Sequence, residues 1–496
     1  MNKKTKDIFV IYPTQLYENI DLIKKYNVFL VEDETYFTKY KFHKLKIAYH
    51  RATMKKYQDY LLSKKINVSY FNFNENYFIH LEKNNVYIYD PIDHDVIEKN
   101  ILMSKKYKYK LSVLESKNFV TTYESLKDYN KNVFKNKFSH NSSFYRWQRK
   151  NLDIMYPIGE KYKLSYDDEN KEKFEKSQKD VFNPKNINNS YVKEAIKYTN
   201  KYFNNNLGSL DNFIYPIDHV GAKKWLNDFI KNRLKKFGTY EDAFDDKIKF
   251  GFHSVLSPLL NIGLITDEDV LEKILPLKSK IPMNSYEGYI RQLIGWKQGV
   301  RYLYQFHYDK FKNKNFLKSK NKISYKFWTA ETGIPPVDDC IKKALKYSYL
   351  HHIERLMIMG NFFLITMVNP NEVFNWFITF VSIDAYQWVM YPNVYGMITY
   401  ADEGFMMSRP YMSSSSYIKK MSGYSKNKQK VKLGNEEYQW DEIWDALYYN
   451  FINKHYDILK KNYFIARNTK HWDNKTTDEK TKLLSLAKKY LKFLND

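Results

Sequence analysis

From residue 8 to about 125, short apolar runs alternate with stretches of helical periodicity. The runs Ile8–Tyr12, Val28–Glu32, Asn67–Phe71 and Val86–Tyr89 read as strands, because they are short and rich in β-branched and aromatic residues. Between the second and third, Tyr40–Ser63 carries a Lys-rich helical pattern whose length suits the crossover of a βαβ unit. The expected fold here is a parallel, Rossmann-like α/β sheet. Residues 131–205 lose apolar periodicity, above all over Lys161–Asn189, which predicts a long interdomain linker. Beyond it, apolar positions recur at three-to-four spacing through Ala222–Phe237, Tyr286–Phe306, Val337–Met367, Pro370–Val389 and Trp440–Asn462, with no repeat period. The chain thus divides into an α/β domain (1–130), a linker (131–205) and a large all-α domain (206–496), able to enclose a sizeable cofactor between helices.

A length of 496 residues also asks for more than one core. The formal charge of +25 suits a polyanionic partner, nucleic acid first and an anionic membrane surface second. A general Lys-rich bias is the bland alternative. The single cysteine, Cys340, excludes an internal disulfide and any metal site built on several thiolates, and fits an intracellular setting. Met1–Asp7 and the brief run after it lack the apolar core of a secretory signal. The most apolar stretch, Leu356–Phe380, is interrupted by Asn361, Asn369, Pro370, Asn371, Glu372 and Asn375, so it reads as two buried helices rather than a membrane span.

Trp296, Trp328, Trp376 and Trp388 all lie in helical patterns, where the ordinary role is core packing with the indole N–H satisfied locally. Adjacent His351 and His352 cannot face the same way on a helix; one belongs in the core, leaving the other, near Arg355, for chemistry. The run Phe144–Lys150 interleaves aromatics with cations, a composition of nucleic-acid surfaces and equally of domain interfaces. The interface is favoured, with Arg149 and Lys150 the candidate DNA contacts.

Four ordered motifs carry a family resemblance. Phe252-His253-Ser254-Val255-Leu256-Ser257-Pro258 resembles the photolyase segment that holds the flavin diphosphate, which implies cofactor roles for His253, Ser254, Leu256 and Ser257. Tyr289–Lys297 is similar to the helix lining the flavin and lesion pockets, with Gln292, Trp296 and Lys297 toward the cofactor. His351-His352-Ile353-Glu354-Arg355 resembles the His-x-x-x-Arg helix in its doubled-His form, known from (6-4) photolyases. Ile383–Trp388, Pro392-Asn393-Val394 and Gly396-Met397 resemble the loop and helix round the isoalloxazine, which places Asp384 and Asn393 at the cofactor and pairs Arg355 with Asp384. Gln15-Leu16, His43–Ala48 and Met54 resemble the α/β domain of the photolyase-related iron–sulfur branch, where some relatives bind a lumazine antenna.

The chain is therefore identified as a member of the photolyase and cryptochrome superfamily. The resemblance implies FAD as cofactor, UV-damaged DNA as partner, a monomer without membrane attachment, and light-driven splitting of pyrimidine lesions. It implies His352 as proton donor, Met397, Tyr411 and His50 at the lesion, and Trp376 and Trp328 on the photoreduction path, with Phe377 in place of a redox-active Tyr. The cluster cysteines of that branch fall on Pro336, Ser425, Lys428 and Glu442, so no [4Fe–4S] cluster is expected, and packing by Trp440 and Trp444 replaces it. The doubled His leans towards the (6-4) photoproduct, although Leu356 stands where eukaryotic enzymes carry a second pocket His. A cyclobutane-dimer photolyase and a cryptochrome photoreceptor are the alternatives.

Overall fold

The computed structural model describes residues 7–166 and 171–496. Residues 1–6, read above as lacking a secretory signal, and 167–170, within the expected linker, lie outside the described residues.

Five strands form one parallel sheet: β1 (Asp7–Ile11), β2 (Asn27–Val31), β3 (Val68–Phe71), β4 (Asn85–Tyr89) and β5 (Lys110–Leu114), in the order β3-β2-β1-β4-β5. Val10 pairs with Phe29 on one side and Ile88 on the other. The first four strands match the apolar runs within a residue or so. β5 is an addition: it is a half-exposed edge strand, so its five residues carry little continuous apolar signal. Helix α1 (Lys44–Ser63) crosses from β2 to β3, and α2 (His94–Tyr107) from β4 to β5. α1 begins later than the expected Tyr40 because His43 caps it, its Nδ1 accepting from the Leu45 amide at 3.0 Å. Strand order reverses between β1 and β4, which opens the carboxyl ends of the strands as a switch point.

Within the expected linker, the helix Ser190–Tyr202 packs along α1. The helical half follows, and its departures from the apolar pattern are informative. Met283–Ile290, Arg291–Lys297 and Gln298–His307 run on as one rod, widened to π-helical turns in the middle segment. By contrast, the expected Val337–Met367 helix breaks after Pro335–Tyr347 and resumes at Glu354–Gly360. The expected Pro370–Val389 helix stops at Phe380 and restarts at Gln387. Ser348, left-handed at φ 54°, joins the two breaks: its Oγ accepts from the amides of Ser382 and Ile383, each at 3.1 Å. The two interruptions are thereby held side by side.

Near the positions aligned with cluster cysteines, Pro336 opens the helix Pro335–Tyr347, Ser425 and Lys428 are exposed, and Glu442 caps the Gln439 amide at 2.8 Å. Trp444 is buried, stacks on Phe362 at 5.6 Å and donates to the Ser413 carbonyl, while buried Trp440 donates to that of Asn427. Among the described residues no helix is long and apolar enough to cross a membrane.

Candidate active site

A cavity of about 300 Å³ opens between the helices, and residues from all four sequence motifs line it. Because Ser348 clamps the two breaks together, Arg355 lies against Asp384: Nη2 donates to both carboxylate oxygens at 2.7 and 2.9 Å, and Nε donates to the Leu350 carbonyl. Asp384 is held further by the Ser257 hydroxyl at 2.5 Å, and its backbone carbonyl accepts from Asn261 Nδ2 at 2.9 Å. Arg355 Nη1 has no protein partner among the described residues. His253 also lines the cavity, and its buried Nε2 has no hydrogen-bond partner. Burial, reinforced by nearby Lys343, His352, Lys171 and Arg233, pushes the His253 pKa down to about 3, so the ring is neutral. Leu293, Trp296, Phe377, Trp388, Val394 and Ile398 supply apolar wall. The arrangement suits a planar, partly anionic ligand gripped by a few polar groups.

The adjacent histidines divide as expected, with His351 just ahead of the helical turn and His352 the first residue in it. His351 is buried, stacked on His253 at 4.3 Å with its Nε2 3.4 Å from Glu354, whereas His352 is exposed and lines the cavity. Ser254, Ser257, Gln292, Lys297, Asn393 and Met397 line the same space. Gln292 reaches Glu241 at 2.8 Å, and Asn393 the Val389 carbonyl at 2.7 Å. The Lys297 ammonium is committed to Asp267 at 2.7 Å and to the Asn118 carbonyl. Leu256 is fully buried as the residue before the helix Ser257–Asn261, and is not part of the lining. Trp376 lies one layer back, packed on Phe377 at 5.0 Å with its indole N–H donated to the Phe327 carbonyl. Its ring is 6.5 Å from that of half-buried Trp328.

Two expectations are corrected. His50 was placed at the lesion, but it is fully buried on α1, beside Tyr36, Tyr49 and Tyr386, so no nucleic acid can reach it. Arg149 is a candidate DNA contact in a run favoured as an interface, but its guanidinium is fully buried and donates to the carbonyls of Met155, Lys163 and Leu164. Lys150 is exposed, and Tyr411 is half-buried outside the cavity lining.

Sequence reasoning missed the grip of the α/β domain on the Asp384 loop. Lys46 of α1 is buried; it donates to the Ala385 carbonyl at 2.5 Å and lies 4.0 Å over the Tyr386 ring. Asp93, at the start of α2, accepts from the Trp388 amide at 3.1 Å. Burial pushes Lys46 down and Asp93 up, both to about 7. The available signal was Lys46 between Leu45 and Ile47, both fully buried, in the run His43–Ala48.

Residues 9–215 match the family model described as deoxyribodipyrimidine photo-lyase-related protein. A (6-4) photolyase of Agrobacterium fabrum is 31% identical over 364 residues, which span 71% of this chain and 70% of that enzyme. The chain belongs to the photolyase and cryptochrome family. The fold agrees: a bacterial class III photolyase from Agrobacterium tumefaciens superposes with a TM-score of 0.56 at 14% identity, over 85% of this chain and 87% of that one. A Synechocystis cryptochrome superposes with a TM-score of 0.57 at 11% identity, over 84% and 89%. As in those family members, an α/β domain here precedes a helical one, and the cavity lies in the helical half of this photolyase-family chain.

Proposed function

We propose that this chain is a light-driven DNA photolyase that holds FAD in the helical cavity and splits UV-induced pyrimidine lesions, the (6-4) photoproduct foremost. One observation carries the reading: a single cavity is lined both by the exposed His352 and by the Arg355–Asp384 pair. Bound FAD, once reduced, supplies the electron that light delivers to the lesion. The protein supplies binding, charge and a proton. Arg355, fixed by Asp384, sets a permanent positive charge in the wall, which favours an anionic ligand. Unpartnered His253 Nε2, and Arg355 Nη1, which takes no part in the bonds to Asp384 and Leu350, are polar groups available to that ligand. His352 holds the proton for a lesion in the cavity mouth, a role suited to imidazole. Trp376 and Trp328 form the path for cofactor reduction, and exposed lysines take the flanking phosphates.

The lean towards the (6-4) lesion rests on the doubled His and on the Agrobacterium fabrum relative. With Cys340 as its one cysteine, the reading includes no iron–sulfur cluster. The test is repair by reduced, purified protein under blue light of two oligonucleotides assayed in parallel, one with a (6-4) photoproduct and one with a cyclobutane dimer. Restoration of the first supports the proposal; restoration of the dimer alone corrects the lesion. Restoration of neither, with flavin bound, points to a photoreceptor.

A further inference from the structure

Tyr463 and Phe464 stand out on the surface. Tyr463 is 91% exposed, the most exposed large apolar side chain among the described residues, and Phe464 is 57% exposed. Their rings meet edge to face at 5.6 Å, so they present a small aromatic platform to solvent rather than to any core. The loop beneath is well anchored. Ile465 is buried, and Asn462 accepts from the Phe464 amide while donating to the Ser408 carbonyl at 2.8 Å.

That last bond ties the platform to the segment 405–411, which stands behind the cavity wall. Ser408 lies in the segment 405–411, which also carries exposed Arg409 and ends at Tyr411. In the same segment Met406 donates its amide to Asp402 and packs directly against Gly396, the neighbour of the cavity-lining Met397. The flanking sequence is basic: Lys454, Lys460, Lys461, Arg467 and Lys470 are all exposed, with Asp457 the one carboxylate between them, although exposed Glu403 lies near Tyr400, which Asn462 bonds. None of the five forms an ion pair among the described residues.

From this juxtaposition we propose that Tyr463 and Phe464 form a stacking platform for unpaired bases of lesion-containing DNA, beside the cavity that takes the lesion itself. The inference rests on the photolyase reading and extends it to a site for the partner. Pulling a dinucleotide into a cavity leaves neighbouring bases without their stack. Exposed aromatics in a basic field replace that stack whatever the base, since every base has a π face, while the cations hold the backbone. Exposed aromatics among lysines also suit an anionic lipid surface. DNA is favoured because the anchored loop connects, through Ser408 and then Met406 against Gly396, to the wall that carries Met397.

The experiment compares wild type, Tyr463→Ala/Phe464→Ala and the conservative Tyr463→Phe/Phe464→Tyr in binding to a lesion duplex, over a series of salt concentrations. Binding of each to vesicles of phosphatidylserine and phosphatidylcholine is measured alongside. Both side chains are exposed, so the alanines leave the fold intact, and equal flavin content and circular dichroism check this. The expected result is a loss of about tenfold or more in duplex affinity for the double alanine, with the conservative variant unaffected. The salt slope stays unchanged, because no phosphate contact is removed. A double alanine that binds the duplex within twofold of wild type overturns the platform, as does a loss confined to vesicle binding. If wild type binds lesion and undamaged duplexes equally, the repair reading itself fails; if it is lesion-selective and the variant matches it, only the platform does.

Discussion

In the α/β half, buried Arg51 donates to Glu32 at 2.8 Å, to Glu194 at 2.7 Å and to Asn72 at 2.7 Å, while Glu32 also accepts from Tyr70, Tyr198 and the Phe73 amide. In the helical half, Arg355 donates to Asp384 and to one carbonyl, and the pair faces a cavity. Both are arginine–carboxylate pairs largely withdrawn from water, yet they differ in what is left over. The Arg51 network joins α1, the ends of β2 and β3 and the helix Ser190–Tyr202, and protein atoms satisfy it. The Arg355 pair is held rigidly from behind, by Ser257 and by the Ser348 clamp, and keeps donor capacity on its open side. Saturation by protein marks a fastener, and a residue of unused polar atoms beside space marks a site.

Glu32 is the acceptor at the centre of the first network. Glu32→Ala leaves Arg51 and two tyrosine hydroxyls without their central acceptor, and urea unfolding is expected to show a loss of about 3–5 kcal/mol. A loss below about 1 kcal/mol would mean that exposed Glu194 suffices and that the network is no fastener.

Asp384→Asn probes the other side and is expected to cost less stability, about 1.5–3 kcal/mol, because Arg355 keeps the Leu350 carbonyl and access to the cavity. Its larger effect falls on the ligand: copurified flavin drops, as absorbance of the purified protein at equal concentration measures. Unchanged flavin content and repair rate would reduce the pair to a second fastener.

How far the two regions could be read from the chain follows the same division. Strands β1, β2 and β4 announce themselves because both sheet faces are covered, so their runs are continuously apolar. The split between His351 and His352 was expected from a helical step, and the structure reaches it instead by starting the helix at His352. The breaks that build the site were not legible in the apolar pattern, because Ser348 and Val381–Tyr386 carry no Gly or Pro and remain apolar enough to continue a helix; the family resemblance alone pointed to a loop at Ile383–Trp388. Burial of His50 and Arg149 was equally hidden. Each looks polar and available until the partner segments, Tyr386 for one and the Met155–Leu164 carbonyls for the other, fold onto it. Lys46 shows the converse: a surface-type residue becomes a tether because another domain's loop lands on it.

The seam between the regions yields the smallest and most pH-dependent effect. His43 uses both ring nitrogens at this seam: Nδ1 accepts from the Leu45 amide to cap α1, so the proton sits on Nε2, which donates across to the Leu345 carbonyl at 3.0 Å. A second proton on Nδ1 would abolish the cap. The ring also lies flush on Gly208, whose φ is +93° and where a Cβ would fall 1.9 Å from Nε2, so it has no room to turn away. Burial accordingly pushes the His43 pKa from 6.5 down to about 4. A depressed folded-state value means that the unfolded chain binds more protons between those limits. The stabilisation is therefore complete above about pH 6.5 and is lost as pH falls towards 4. Buried His253 and His351 are shifted the same way and add to the loss. His43→Asn keeps a capping oxygen but cannot titrate; at neutral pH it is expected to cost about 1–3 kcal/mol, for the Leu345 carbonyl left without its donor. Its unfolding free energy should then decline less steeply than that of wild type from pH 6.5 to 4.5. Parallel declines in the two proteins would show that His43 is protonated without penalty and that the seam is insensitive to acid.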